Sequence, residues 1–405
     1  MWLKVRVGEP LLLGDVRADT QFLATRTYLP GRVLRGAWVE ALLQRGISQD
    51  ELLRRIEAVQ FWNFFPAAEG PGLRYALPLP MSAFTCKREG GFRTEPVEDR
   101  GGHGVVDTLL PHLVYHLLQD QGARFPVPFA PRCVRCNGRL EPIGGWYAVY
   151  RLYNTDHWVA FRPRYHAQTK VALSRYRRAA AEGMLYTASA LSPYTVDPQQ
   201  LSGKRRVIFL GRVLAKGELV ERIQETLRGA ALGALRTRGY GYVEEVQAAE
   251  VDLPTMEERL RVFNERLRAL WQNLRTLAVN KDHLPEEPSG VYFSVDLLAP
   301  GIFRDEDGMP SLVPLFQFKD KVLKPVFWMT RSAMASGWSP AWGLPKPTQL
   351  AAVMGSVYVY HWEGNQEEIM PFLRVLERDG VGARRDEGFG ECLVCHPFHQ
   401  EVEEK

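Results

Sequence analysis

Apolar and charged residues alternate at the start of the chain, with Leu3, Val5 and Val7 set against Lys4 and Arg6. A period of two predicts a half-exposed β-strand. Further on, Leu29-Pro30-Gly31-Arg32 leads into Val33, Leu34, Ala37, Trp38, Ala41 and Leu42. That spacing gives one apolar face to a helix beginning just past a Pro-Gly turn. A second amphipathic stretch covers about residues 49–59. From residue 61 to about 147 the chain is rich in Pro, Gly and Cys and reads as an irregular insertion. Helical spacing returns over 170–182, a strand is expected over 204–214, and a helix over 218–229. Past a boundary near 247–256, residues 256–277 carry the longest helical pattern. Strand-like VYFSVDLLA (291–299) and VYVYHWEG (357–364) follow, separated by loops rich in Pro, Gly and Trp, and residues 401–405 read as a solvated acidic end.

Two segments match without gaps. Gly233-Ala234-Leu235-Arg236-Thr237-Arg238-Gly239-Tyr240-Gly241 and Gly382-Ala383-Arg384-Arg385-Asp386-Glu387-Gly388-Phe389-Gly390 both read G-A-x-R-x-x-G-aromatic-G. Each precedes a strand-like run near the end of its half, so the repeat implies two related domains, 1–248 and 249–405. Glycines permit positive φ and close backbone approach. Successive exposed N–H groups then form an anion-binding concavity. Arg236 and Arg238 beside Gly239, and Arg384 and Arg385 in the second loop, add phosphate-suited charges, and Tyr240 and Phe389 offer rings to a base. The alternative is a tight hairpin with a structural aromatic. No G-x-G-x-x-G joins a strand to a helix and no G-K-[ST] occurs, which excludes the common nucleotide-binding motifs.

Composition narrows the class. Apolar residues are 45% and charged residues 24% of 405, which excludes wholesale disorder and a collagen-like chain. A net charge of +4 is too small by itself to argue for nucleic acid. Five cysteines argue against a secreted disulfide scaffold. No apolar run reaches membrane-spanning length, and the N-terminal alternation is that of a strand rather than of a secretory signal. A cytoplasmic protein is expected.

Several segments, in this order, resemble the CRISPR-associated RAMP superfamily (repeat-associated mysterious proteins). LPGRVLRGAW (29–38) is similar to that family's first-helix segment, and HAQTKVALSRYRRAAAEGMLY (166–186) to a region ending E-G-x-L-Y in its Cas-five-like branch. GWSPAWGLPKP (337–347) with GSVYVY (355–360) resembles the second domain of that branch. With the Cys-bearing insertion, the nearest resemblance is to the Csx-ten family of type III-D effectors. One departure is Ser174, where related sequences often carry Asp. The resemblance implies an α+β fold of two ferredoxin-like (RRM-like) RAMP domains, the first carrying the irregular insertion at about 61–147. It also implies a non-catalytic subunit that holds the 5′ repeat-derived handle of CRISPR RNA. Its expected partners are CRISPR RNA, the large polymerase-like subunit and RAMP backbone subunits.

The residues agree in part. Between Arg162 and Arg178 stand Arg164, Lys170, Arg175 and Arg177, with Tyr165, His166 and Tyr176 interleaved and no acidic residue. Clustered cations are what phosphate neutralisation needs. Arg32 and Arg35, beside Gly31, sit near free amides at the first helix N-terminus, a ready phosphate site. The plainer alternatives are a solvated basic helix face and ordinary surface solubility. A competing function is a RAMP endoribonuclease that processes CRISPR RNA. His166 and Lys170 would be its acid–base pair, four residues apart on one helix face.

Cys133-Val-Arg-Cys136-Asn-Gly is a C-x-x-C knuckle before a turn, which lets both thiolates face one ion. Cys86 and His103 lie upstream among turn-prone residues and are expected to complete a structural zinc site, with His112 as the reserve ligand; the alternative is a reduced, unliganded pair or a redox C-x-x-C. An irregular segment without a core of its own needs such a staple. Cys392-Leu-Val-Cys395-His396, with His399 nearby, falls where a strand is expected. Positions i and i+3 of a strand point to opposite faces, so these cysteines are expected to be packed rather than ligating.

Overall fold

A computed structural model describes residues 1–14, 22–93, 102–197, 203–215, 217–339 and 343–400. The acidic tail at 401–405 and residues 340–342 of the Trp-rich segment lie outside them. The chain divides into two compact units. The first comprises Met1–Leu77, Trp146–Val251 and Asp386–Gly388, the second Pro78–Gly145, Asp252–Arg385 and Phe389–Lys405.

In chain order the first unit runs β1 (Trp2–Val7), α1 (Gly31–Gln44), β2 (Gln60–Ala68), a hairpin of β3 (Tyr165–Ser174) and β4 (Ala179–Leu191), β5 (Lys204–Leu214), α2 (Gly217–Leu227) and β6 (Val243–Ala249). Its main sheet has the order β2-β5-β1-β6, with every neighbour antiparallel. Leu3, Val5 and Val7 are buried while the residues between them stay half-buried, as the period of two requires. On α1, Leu34, Ala37, Trp38 and Leu42 form the buried face. No side chain caps this helix at Pro30; instead Asn63 Oδ1 accepts from the Gly31 N–H at 3.2 Å. A Cβ on Gly31 would collide with the Phe61 carbonyl oxygen, so glycine here is a packing requirement.

The second unit continues with α3 (Met256–Leu277), β7 (Val291–Leu297), β8 (Phe327–Met329), a hairpin of β9 (Ser332–Ser339) and β10 (Leu344–Ala352), β11 (Val357–Trp362), α4 (Gln366–Asp379) and β12 (Cys392–Val394). Its main sheet has the order β8-β11-β7-β12, again antiparallel throughout. Matching strand for strand, β1, β2, β5 and β6 become β7, β8, β11 and β12. The hairpin precedes the third sheet strand in both units, and a helix follows that strand in both. Between β7 and β8, where the first unit has α1, lie two small hairpins.

Two sequence expectations fail. Residues 61–147 are not one irregular insertion on the first unit. Residues 60–68 form β2, paired with β5 along most of its length. Its run QFWNFFPAA is buried almost throughout, so it shows no alternation, and Pro66 hides it further. Residues 78–145 group with the second unit. The reason is the helix Leu109–Asp120, whose Leu109, Leu110, Leu113, Val114 and Leu118 share one apolar core with Leu260, Phe263 and Leu267 of α3. The second failure is residues 170–182, which lie in the β3–β4 hairpin rather than a helix; its antiparallel pairing runs from Tyr165↔Leu191 to Ser174↔Ala179 with a register shift between Val171 and Leu173. Pairing with distant residues overrides the helical spacing there.

Candidate nucleic-acid interface and metal centre

The two glycine loops share one backbone conformation. Left-handed residues occur at equivalent places: Gly233 and Gly382 (φ 76° and 80°), Leu235 and Arg384 (58° and 57°), Gly239 and Gly388 (84° and 87°), Gly241 and Gly390 (73° and 68°). A 3₁₀ turn fills the middle of each, at Arg236–Arg238 and Arg385–Glu387. The wiring also repeats. Gly241 N–H donates to the Pro10 carbonyl and Gly390 N–H to that of Pro300, both at 2.9 Å. Ala234 N–H donates to Leu12 O at 2.8 Å and Ala383 N–H to Ile302 O at 3.0 Å. A Cβ at Gly241 or Gly390 would strike the carbonyl oxygen of Leu232 or Val381, so neither tolerates a side chain.

Each loop aromatic is clamped under a hairpin. Tyr240 is buried with Leu12 and with Ala188 and Ala190 of β4, and Phe389 with Ile302 and with Ala335 and Ala351 of β9 and β10. The Tyr240 hydroxyl donates to Gln168 Oε1 at 2.8 Å, and Lys170 Nζ stands 5.1 Å from its ring centroid. The Arg384 guanidinium lies 4.8 Å from the Phe389 centroid. Both faces are therefore spoken for, and the expectation that Tyr240 stacks on a base is corrected: it locks the hairpin to the loop. Tyr240→Leu is expected to lower stability by about 1–2 kcal/mol through poorer shape complementarity and the absence of one hydrogen bond. RNA affinity, measured well below the unfolding temperature, should stay unchanged. A variant of wild-type stability with weakened RNA affinity would return Tyr240 to a direct role in binding.

The other candidates fall into two groups. Some are engaged within the protein. Arg236 pairs with Glu40 of α1, Arg238 donates to the Tyr186 hydroxyl of β4, and Arg35 donates to the Asp386 carbonyl at 2.7 Å. Arg385 donates to Asp379 O at 3.5 Å, Arg32 is half-buried on α1, and Gly31 is buried at its start. Gly239 is exposed at the first loop tip. The rest are displayed on the hairpin. Arg164, His166, Arg175, Arg177 and Arg178 are exposed, none has a carboxylate partner among the described residues, and Tyr176 is 97% exposed at the turn. On β3, Val171 and Leu173 are exposed as well. The proposed His166–Lys170 catalytic pair loses its geometric basis. Four residues of strand separate the two by about 13 Å, where a helix would have brought them to about 6 Å.

The four predicted metal ligands converge. Cys86 closes the strand Ala83–Cys86, His103 lies just before the strand Val105–Asp107, and the knuckle carrying Cys133 and Cys136 leads into Leu140–Pro142. The ligand atoms all lie within 4.8 Å of one another. Cys86 Sγ is 3.5 Å from Cys136 Sγ, and Cys133 Sγ is 3.5 Å from His103 Nδ1. The knuckle is shaped by Asn137 N–H donating to Cys133 O at 2.8 Å and Cys133 N–H to Gly138 O at 2.9 Å, with Asn137 left-handed. The Glu89 amide, helped by that of Arg88 and by Cys136 and His103, pulls the Cys86 thiol down to about 6 against burial. Cys136 moves the other way: the Gly138 amide opposes the shift, while burial and the Cys86 and Cys133 sulfurs drive it up. His103 Nε2 meets Glu89 Oε2 at 3.1 Å, which orients the ring so that Nδ1 faces the sulfurs. This cluster can hold a metal ion. His112, the reserve ligand, is occupied elsewhere, with Nδ1 at 2.7 Å from Thr108 O.

Sequence reasoning missed a buried polar network in the second unit. His399 Nδ1 meets Asp107 Oδ2 at 3.0 Å and its Nε2 meets Asp296 Oδ1 at 2.8 Å. Ser294 Oγ and the His396 N–H both donate to Asp296 Oδ2, at 2.6 and 3.1 Å. Burial alone would strip the His399 proton, but Asp107 and Asp296 hold it on and push its pKa up to about 10. Burial drives His396 down to about 3, so that ring is neutral and its Nδ1 accepts from Phe398 N–H. Cys392 and Cys395 lie in the same core, and the Cys392 thiol donates to Leu376 O at 3.4 Å.

The CRISPR-associated protein family Cas_Cmr3 matches residues 163–397, more than half of the chain. The chain belongs to this family. The Cas_Cmr3 match opens at the β3–β4 hairpin and takes in both glycine loops, while all four candidate metal ligands precede it. Among known structures, a cryo-EM structure of the Type III-B Cmr-beta bound to cognate target RNA and AMPPnP aligns at 13% identity and a TM-score of 0.42. It covers 92% of this chain and 88% of that one. A crystal structure of the Csm3-Csm4 subcomplex in the type III-A CRISPR-Cas interference complex aligns at 13% identity and a TM-score of 0.37, covering 90% and 94%. A search of curated proteins returns no match. Among the described residues no helix is long and apolar enough to cross a membrane.

Proposed function

We propose that this Cas_Cmr3 family member is a non-catalytic RNA-binding subunit of a type III CRISPR effector complex. It holds the 5′ repeat-derived handle of CRISPR RNA and contacts the large polymerase-like subunit and RAMP backbone subunits. The observation that carries this reading is the β3–β4 hairpin, which displays Arg175, Arg177 and Arg178 around the exposed Tyr176 without carboxylate partners among the described residues. Unpaired arginines suit phosphates and an exposed ring suits a splayed base. The repeated strand order and duplicated loop support two ferredoxin-like RAMP domains. The Csx-ten placement rests on the motif order together with the Cys-bearing insertion.

Arg175→Ala/Arg177→Ala/Arg178→Ala should weaken binding of repeat RNA and flatten its salt dependence by roughly 0.7 units for each phosphate no longer neutralised. Wild-type affinity and slope in this variant, correctly folded, would remove the hairpin from the interface. Labelled repeat RNA should be retained intact, and cleavage abolished by His166→Ala would instead favour an endoribonuclease.

The metal centre is read as structural zinc held by Cys86, His103, Cys133 and Cys136. Three thiolates and one imidazole form a closed tetrahedral zinc set, whose sulfurs would stand about 3.8 Å apart around an ion at about 2.3 Å. The separations of 3.5 Å fit that cage.

A further inference from the structure

We propose that the metal knuckle carries a second RNA-backbone surface, made by Lys87, Arg88, Arg132, Arg135 and Arg139 and separate from the hairpin. This rests on the RNA-binding reading above. All five side chains are exposed, and none forms an ion pair among the described residues. They are close by construction. Lys87 N–H donates to Arg139 O at 3.0 Å, and Arg139 faces Arg132 across an antiparallel bridge. A methyl group at Gly138 would touch Arg88 Cδ and Nε at 3.7 Å, so Arg88 lies along the knuckle. Arg135 stands inside the C-x-x-C itself, next to Val134, which is 84% exposed.

Like charges opposed across paired segments are destabilising, and among the described residues no carboxylate forms an ion pair with any of the five. Glu89 is taken by His103 and Asp107 by His399. The four ligands hold this unfavourable arrangement in place, which is the expected layout of a site whose counter-charge arrives with a ligand. Four of the five cations are arginines, whose planar forks match phosphate. An acidic protein partner is the less suitable occupant, because Val134 is the sole apolar side chain displayed between the two cysteines and no aromatic anchor accompanies it.

The test uses the full chain, metal-loaded, with a labelled single-stranded RNA of mixed sequence. Arg132→Ala/Arg135→Ala/Arg139→Ala should lower the salt slope of binding by roughly 2 units, three phosphates at about 0.7 each on single strands. Arg135→Glu, a change at one exposed side chain, should weaken binding several-fold at low salt with metal content unchanged. Ultraviolet cross-linking of the wild-type chain should mark the peptide spanning residues 132–139. Knuckle variants that bind as wild type, with the hairpin variant impaired and no cross-link on that peptide, overturn the proposal while leaving the RNA-binding reading intact. If wild-type protein binds no RNA, both fall. Knuckle variants that keep RNA affinity but no longer co-assemble with a protein subunit would assign the surface to that protein and overturn the RNA reading of it.

Discussion

Exchanging His399 for alanine should cost the second unit about 3–5 kcal/mol of stability, the range for removing one partner from a buried ion pair. The ring is fully buried between two carboxylates that have no other cation within hydrogen-bond distance among the described residues. Without it, Asp107 and Asp296 face each other and one must take up a proton. The pH profile separates this charge effect from a simple cavity. His399 has a folded-state pKa raised from 6.5 to about 10, so its contribution is complete below 6.5 and is lost as pH rises through about 10. Asp296 is held below its ordinary value: burial opposes this, but His399 outweighs it. Its contribution is therefore present above about 4 and lost as the solution is acidified further. Urea unfolding across this span should show wild-type stability falling on the alkaline side, and His399→Ala should flatten that fall. Parallel profiles for the two proteins would mean that His399 is not the buried cation.

What the sequence disclosed and what it hid divide along one physical line. Features set by neighbouring residues were legible. The alternation at Leu3, Val5 and Val7 marks a central strand, the Pro30-Gly31 start of α1 stands where expected, and the C-x-x-C knuckle finds Cys86 and His103. The repeated glycine loop was legible because left-handed backbone demands glycine at fixed places, even though Leu235 and Arg384 adopt it without glycine. Features decided by distant partners were not. Residues 170–182 read as helical by spacing but belong to the hairpin 165–191, locked down by Tyr240 of the first loop. Strand β2 lacks alternation because it is buried on both faces. Asp107, Asp296 and His399 come from separate parts of the chain, and nothing local to any of them announces the network.

Loss of the proposed zinc should have the larger effect. Cys133→Ser removes one of the four proposed ligands from an insert whose strands Ala83–Cys86, Val105–Asp107 and Leu140–Pro142 span only four, three and three residues. So small a sheet buries little, and its order depends on the cross-link. Tying Cys86 to Cys136 removes chain entropy worth about 4 kcal/mol on the scale of a covalent bridge of that span. Zinc contributes about 10–16 kcal/mol to small peptides that fold only around it. The insert should lie between these limits, because its helix Leu109–Asp120 stays anchored in the core shared with α3. Elemental analysis should find one zinc per chain in the wild type and a large loss in Cys133→Ser. Hydrogen exchange should rise sharply across residues 83–93, 102–107 and 132–142 and stay protected in β7, β11 and β12. Cys392→Ala supplies the contrast: its sulfur is packed in the core, so that change should destabilise the second unit and leave the metal in place. Full zinc retention in both Cys133→Ser and Cys86→Ser would show that these four residues do not form the metal site, and unchanged exchange in the metal-free protein would show that the insert does not depend on the ion for its order.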